Sequence, residues 1–122
     1  MIEQSTGIAV ESCPDADSLR SALEAAGIHI DGAPKLGRGA LIDQLYKKTV
    51  RPSITQPTFI TSHPVDLSPL ARRNDDEPTI SDRFQLVIHG WEVINAYSEL
   101  VDPIDQRQRL EEQAKLNAEG DD

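Results

Sequence analysis

The sequence predicts an α+β fold, with an antiparallel sheet portion across residues 57–100, two helices before it and one after. Three observations carry this. Leu19, Ala22, Leu23 and Ala26 recur at the i, i+3, i+4, i+7 spacing of one helix face. Residues 83–88 and 92–100 are the strongest strand-like runs, and the short His89-Gly90 step between them suits an antiparallel hairpin. Asp102-Pro103 then opens a final helix, with Asp102 as the cap and Pro103 at the first helical position, where its missing N–H is tolerated.

In chain order, Gly7-Ile8-Ala9-Val10 reads as a short strand. The first helix follows, capped by Asp17 or Ser18, with Gly27 where a left-handed C-cap belongs. Two glycines, Gly32 and Gly37, and Pro34 mark residues 28–38 as loop. A second helix spans about 39–50: Leu41, Ile42, Leu45, Tyr46 and Val50 form its apolar face, and Lys47 and Lys48 complement its C-terminal dipole. Pro52 stops it. Residues 57–61 have strand character, 64–68 form a second extended piece, and 74–79 are a charged turn. In the last helix Glu111 and Lys115 are placed to pair at i,i+4, and Gly120 ends it.

At 122 residues the chain has room for one modest core. Aromatic residues are only 4% of the chain, so Leu, Ile, Val and Ala must build that core. No run approaches the roughly 18 apolar residues of a membrane helix, and residues 1–4 do not begin a signal peptide. The net charge is −9 and no basic cluster exceeds Lys47-Lys48 or Arg72-Arg73, so strong nucleic-acid binding by this piece is not expected. Cys13 is alone, which excludes a disulfide framework and fits a reducing, cytoplasmic setting. His29, His63 and His89 show no metal-ligand spacing and read as surface or loop histidines. Ser68 reads as a turn or cap residue, and Gly37-Arg38-Gly39 as loop rather than a phosphate cradle.

The most informative stretch is Asn95-Ala96-Tyr97-Ser98-Glu99-Leu100, followed by Asp102-Pro103-Ile104-Asp105-Gln106-Arg107. In a strand Asn95, Tyr97 and Glu99 share a face. They offer an amide, an aromatic ring and a carboxylate over about 13 Å, at roughly 3.3 Å per residue. That face suits a small ligand with an apolar stem and a cationic end.

The same stretch resembles a signature of class II lysyl-tRNA synthetases. Further matching pieces occur in the same order: Leu41-Ile42-Asp43-Gln44-Leu45, Gln56-Pro57-Thr58-Phe59-Ile60-Thr61, Ser68-Pro69-Leu70-Ala71-Arg72-Arg73, Arg83-Phe84 and Leu110-Glu111-Glu112-Gln113. The first 40 residues match loosely. The resemblance implies a piece of a class II catalytic domain between its two ATP-binding motifs, with 1–55 a helical insert-like region and 56–122 a partial catalytic sheet with its C-terminal helix.

The family's roles map residue by residue. Glu99 would pair with the ε-ammonium of substrate lysine, Tyr97 would flank the methylene stem, and Asn95 would orient the bound amino acid or adenylate. Glu92 matches a carboxylate near the ATP phosphates and Mg²⁺. Glu92 lies three residues from Asn95, so an unbroken strand would turn it to the opposite face. Either a bulge near Ile94 or service to a neighbouring part of the site reconciles the two. Gln85 stands where the family commonly has a second acidic metal ligand, and Trp91 where it usually has Arg beside Glu92. These changes mark either a subfamily or a weakened metal site.

The resemblance thus implies a lysine–tRNA ligase of protein biosynthesis that forms lysyl-adenylate from lysine and ATP and passes lysine to tRNA(Lys). The family's ATP-motif arginines and dimer motif are not recognisable in these 122 residues, so this piece is expected to be inactive alone. Its exposed sheet edge invites self-association. The alternative is a stand-alone binding or interaction module that keeps the scaffold without the chemistry. A further alternative is that residues 1–55 form an inserted helical subdomain of their own.

Overall fold

The computed structural model describes residues 1–118 and bears out the α+β architecture. Met1–Ser53 belongs to one compact unit and Ile54–Lys115 forms a second.

The first unit is helical. Helix α1 spans Ile2–Thr6, α2 spans Ala16–Ala25 and α3 spans Arg38–Thr49. Leu19 and Leu23 of α2 are buried, as are Leu41, Ile42 and Leu45 of α3, the stripes their spacing predicts. The cap of α2 is Asp15, not Asp17 or Ser18. Its Oδ1 accepts from the Ser18 N–H at 2.8 Å, while the Ser18 hydroxyl accepts from the Asp15 N–H at 3.3 Å. This reciprocal box satisfies two helix-end donors and lowers the Asp15 pKa, chiefly through the Ser18 N–H. At the other end Gly27 takes φ +70°, with its N–H on Glu24 O and the Ile28 N–H on Leu23 O, the paired closure of a Schellman turn.

Residues 7–10 are not a strand. Gly7 closes α1 in a left-handed turn and Val10–Ser12 forms a single 3₁₀ turn. An apolar run of four carries no period to separate strand from turn, and here burial of Ile8 alone accounts for it.

The second unit holds a three-stranded antiparallel sheet in the order β1-β2-β3, from Thr58–Ile60, Arg83–Ile88 and Trp91–Tyr97. Residues 64–68 are not extended: Val65–Leu67 is a 3₁₀ turn behind Pro64, which bridges to Ile80. The turn His89-Gly90 has positive φ at both positions (49° and 76°), as a type I′ hairpin requires. Gly90→Ala should therefore cost about 1 kcal/mol, whereas His89→Asn should be neutral or slightly stabilising; chemical denaturation of the two variants checks this.

Helix α4 spans Pro103–Ala118, and the Asp102 Oδ1 accepts from the N–H groups of Ile104 and Asp105 as the sequence predicts. Its observed i,i+4 pairs are Asp105–Arg109 at 2.8 Å and Arg107–Glu111 at 3.0 Å rather than Glu111–Lys115. The expected stop at Gly120 lies outside the described residues. Among the described residues no helix is long and apolar enough to cross a membrane.

Candidate functional site

A β-bulge decides which residues share a face of the hairpin. Between Leu86 and Val87 the register slips: Leu86 pairs with Ile94, but Val87 pairs with Glu92, so Val93 is the extra residue of β3. Beyond the bulge Gln85 opposes Asn95 and Arg83 opposes Tyr97. Cross-strand partners lie on one face, so Arg83, Gln85, Val87, Glu92, Asn95 and Tyr97 form one set. Of the two alternatives for Glu92, the bulge is the one observed.

The strand direction continues past Tyr97. Arg72 N–H donates to Ser98 O (2.8 Å) and Leu100 N–H to Leu70 O (2.9 Å), with Ala71 opposite Glu99. Glu99 is thereby held by pairing to the Leu70-Ala71-Arg72 segment, outside the three-stranded sheet, and its side chain is exposed.

Diagonal hydrogen bonds orient this polar row. Arg83 Nε donates to Asn95 Oδ1 at 2.9 Å, and its NH1 donates to the Ser68 hydroxyl at 2.9 Å. A guanidinium only donates, so the Asn95 oxygen faces it and the Asn95 NH₂ turns away. Gln85 Nε2 donates to Glu92 Oε2 at 3.1 Å, and Gln85 Oε1 meets His63 Nε2 at 3.2 Å. Ser68 is indeed a turn residue, and it also anchors Arg83. His63, read from sequence as a surface or loop histidine, lies in the loop after β1 and is buried there. Burial is the main cause of its lowered pKa and the nearby Arg83 charge adds to it, against the Gln85 hydrogen bond and the Glu92 charge.

With the folded pKa below the ordinary value of about 6.5, His63 contributes stability that is complete above that pH and is lost as pH falls through the folded pKa. The acid side of a stability profile between pH 7 and 5 should therefore be shallower in His63→Gln than in the wild type. Thermal melts across that range check it.

The opposite face is apolar. Phe59, Phe84, Leu86, Ile88, Ile94 and Trp91 lie there by register, with Phe59 and Phe84 packed edge to face at 5.8 Å between centroids. Trp91, expected to remove a charge from the neighbourhood of Glu92, sits on this other side and is 77% exposed.

An ion cluster around the buried Arg109 braces the segment that holds Glu99. Arg109 of α4 is 5% exposed and donates to the carbonyls of Ser68 (3.1 Å) and Ala71 (2.5 Å). Asp105 accepts paired hydrogen bonds from both Arg109 and Arg73, which hold its carboxyl well below the usual carboxylate range.

The comparisons with known proteins point one way. The family model described as tRNA synthetases class II (D, K and N) matches residues 9–122. The chain belongs to the class II tRNA synthetase family. It is 42% identical over 121 residues to a lysine–tRNA ligase of Synechococcus sp. (strain CC9902) and 43% identical over 121 residues to one of Roseiflexus castenholzii. Each of these alignments covers 99% of the chain and 24% of the relative. With a lysine–tRNA ligase of Christiangramia forsetii it shares 46% over 98 residues. The chain thus spans about a quarter of the length of the first two relatives, and the likeness extends into the first 40 residues, which the motifs alone matched only loosely.

The synthetase family implies a magnesium ion with its nucleotide, and the residues present meet that need only in part. Among the described residues no group of three His, Cys, Asp or Glu side chains could hold a metal ion. Gln85 turns its oxygen to His63 and its NH₂ to Glu92, so in this orientation it offers no oxygen to a cation. Glu92 remains as the charged oxygen donor of the row. One carboxylate fits Mg²⁺ only where phosphates and waters complete the shell, which is how that ion is commonly held.

Proposed function

We propose that this chain is the amino-acid-recognising part of a cytoplasmic lysine–tRNA ligase, whose whole activates lysine with ATP and transfers it to tRNA(Lys). Residues 1–55 are the helical insert-like region, and 56–122 contribute part of the catalytic sheet. What supports this is the polar row set up by the bulge at Val93, together with the lysine–tRNA ligase relatives. In it Asn95 is pre-oriented by Arg83, with its NH₂ directed away and available to a carboxylate or carbonyl oxygen of the amino acid. Tyr97 covers the methylene stem, and Glu99 meets the ε-ammonium. Glu92 faces the nucleotide, where a magnesium ion would neutralise phosphate charge when bound; Gln85 reaches that ion only by giving up both of its hydrogen bonds.

The chain by itself has a net charge of −9 and no large basic cluster, so tRNA binding belongs to the longer protein. In isolation, the edges of the sheet and its apolar face favour self-association.

The test is a chimera in which this chain replaces the matching quarter of the Synechococcus ligase. Lysine-dependent ATP–pyrophosphate exchange should be retained, with L-norleucine, which lacks the ε-ammonium, rejected. A chimera that melts like its parent yet shows no lysine-dependent exchange overturns the proposal.

A further inference from the structure

The residue behind Gln85 is the one whose place in the fold calls for a role. Strand β1 ends at Ile60, the register partner of Gln85. Two residues on, Ser62 takes φ +58°, a left-handed conformation that is unfavourable for a non-glycine residue. The chain turns there, and His63 comes back against Gln85. His63 is then locked by its own carbonyl, which accepts from both the N–H (2.8 Å) and the hydroxyl (3.1 Å) of buried Ser81.

In the ring, Nε2 lies 3.2 Å from Gln85 Oε1, while Nδ1 has no partner in hydrogen-bond geometry, although the Arg83 backbone is near. The carboxylate of Glu92 only accepts, so the Gln85 NH₂ must face it and the Gln85 oxygen must face His63. That oxygen needs a donor, and the ring N–H at Nε2 supplies it.

We propose that His63 is a positioning residue, which through the Gln85 amide sets the orientation of the Glu92 carboxylate. The chain runs from a buried, immobilised imidazole, through an amide with one permitted orientation, to an exposed carboxylate on the ligand row. It replaces the repulsion that two neighbouring carboxylates would have with a directed hydrogen bond. Glu92 is thereby held in register with Asn95 and Tyr97 before any ligand arrives. The functional meaning of this device rests on the ligase reading above; its geometry does not.

The test reads the relay without ligand, in the full 122-residue chain. Long-range ¹⁵N–¹H correlation of the imidazole rings at pH 7.5 should show His63, assigned by loss of its signals in His63→Gln, as the neutral Nε2–H tautomer. A predominant Nδ1–H tautomer, donating toward the Arg83 backbone instead, overturns the proposal. In His63→Phe the Gln85 side-chain amide protons should lose their exchange protection and the Glu92 carboxyl ¹³C resonance should move. His63→Gln, which can place an N–H at the same point, should restore both towards wild type. A folded His63→Phe chain in which both signals stay at their wild-type positions also overturns it. Failure of the chimera with the relay signals intact would instead sink the ligase reading and leave the relay standing.

Discussion

Asp105→Asn should destabilise the second unit by about 3–5 kcal/mol, the cost of stripping one partner from a buried ion pair. In the wild type each oxygen of Asp105 accepts from both Arg109 and Arg73, at 2.8–3.1 Å. Asparagine keeps the shape, loses the charge, and turns an NH₂ toward donors that have nothing to accept with. Arg109 is then left buried with carbonyl partners alone. Arg73 is more exposed, at 39% of its side chain, and solvent screening limits its share to under about 1 kcal/mol. The melting temperature should fall by at least about 10 °C for a unit of this size.

The same substitution should change the response to acid. The folded Asp105 carboxyl titrates below its unfolded value, so its contribution is present above about pH 4 and is lost as pH falls further. The variant should therefore show a flatter stability profile below pH 4. A loss under about 1 kcal/mol in denaturant titration would show that the cluster is effectively solvated. Because Arg109 binds the carbonyls of Ser68 and Ala71, disorder in the Asp105 variant should spread first to the Leu70-Ala71-Arg72 segment and the paired Ser98-Glu99-Leu100.

Glu99→Gln should weaken lysine binding by roughly 10–150-fold, the range expected when a hydrogen bond to a charged partner loses its charge. The effect should be specific. In the chimera described above, the KM for lysine should rise by that factor while the KM for ATP stays near its starting value, and discrimination against norleucine should shrink. An unchanged lysine KM would remove Glu99 from the ammonium contact. Asn95→Ala makes a useful contrast: it removes an oriented amide rather than a charge, so its penalty should be nearer the 0.5–1.5 kcal/mol of a neutral hydrogen bond.

Much of this could be read from local rules. The Leu19/Leu23 stripe, the Asp102-Pro103 start of α4, Gly27 at the end of α2 and His89-Gly90 between β2 and β3 each depend on neighbours within a few residues. The errors were local ambiguities of the same kind. Pro14-Asp15 and Asp17-Ser18 both offer caps to α2, and only the Asp15–Ser18 reciprocity chose between them. An apolar run of four at residues 7–10 carries too little period to exclude a turn.

The face of the candidate site was a different problem. A two-residue turn at His89-Gly90 with no bulge would set Gln85 against Ile94 and swing Asn95 and Tyr97 to the Phe84 side. The extra residue at Val93 shifts the register by one and, because strand side chains alternate with a period of two, reverses that outcome. From the sequence, a bulge was one of two ways to bring Glu92 and Asn95 together.

Sequence by itself determined the helices, the hairpin, the order of the motifs and the chemical content of the Asn95–Glu99 stretch: an amide, a ring and a carboxylate. Those follow from spacing and residue type, which are local. Tertiary structure decided that Glu92 joins Asn95 and Tyr97, that Trp91 leaves them, and that His63 and Arg109 stand behind the row as buried supports. His63 lies 22 residues from Gln85, and Arg109 lies 41 from Ser68. Contacts across such separations form only when the whole unit closes, because burial and hydrogen bonding must then be satisfied for every segment at once.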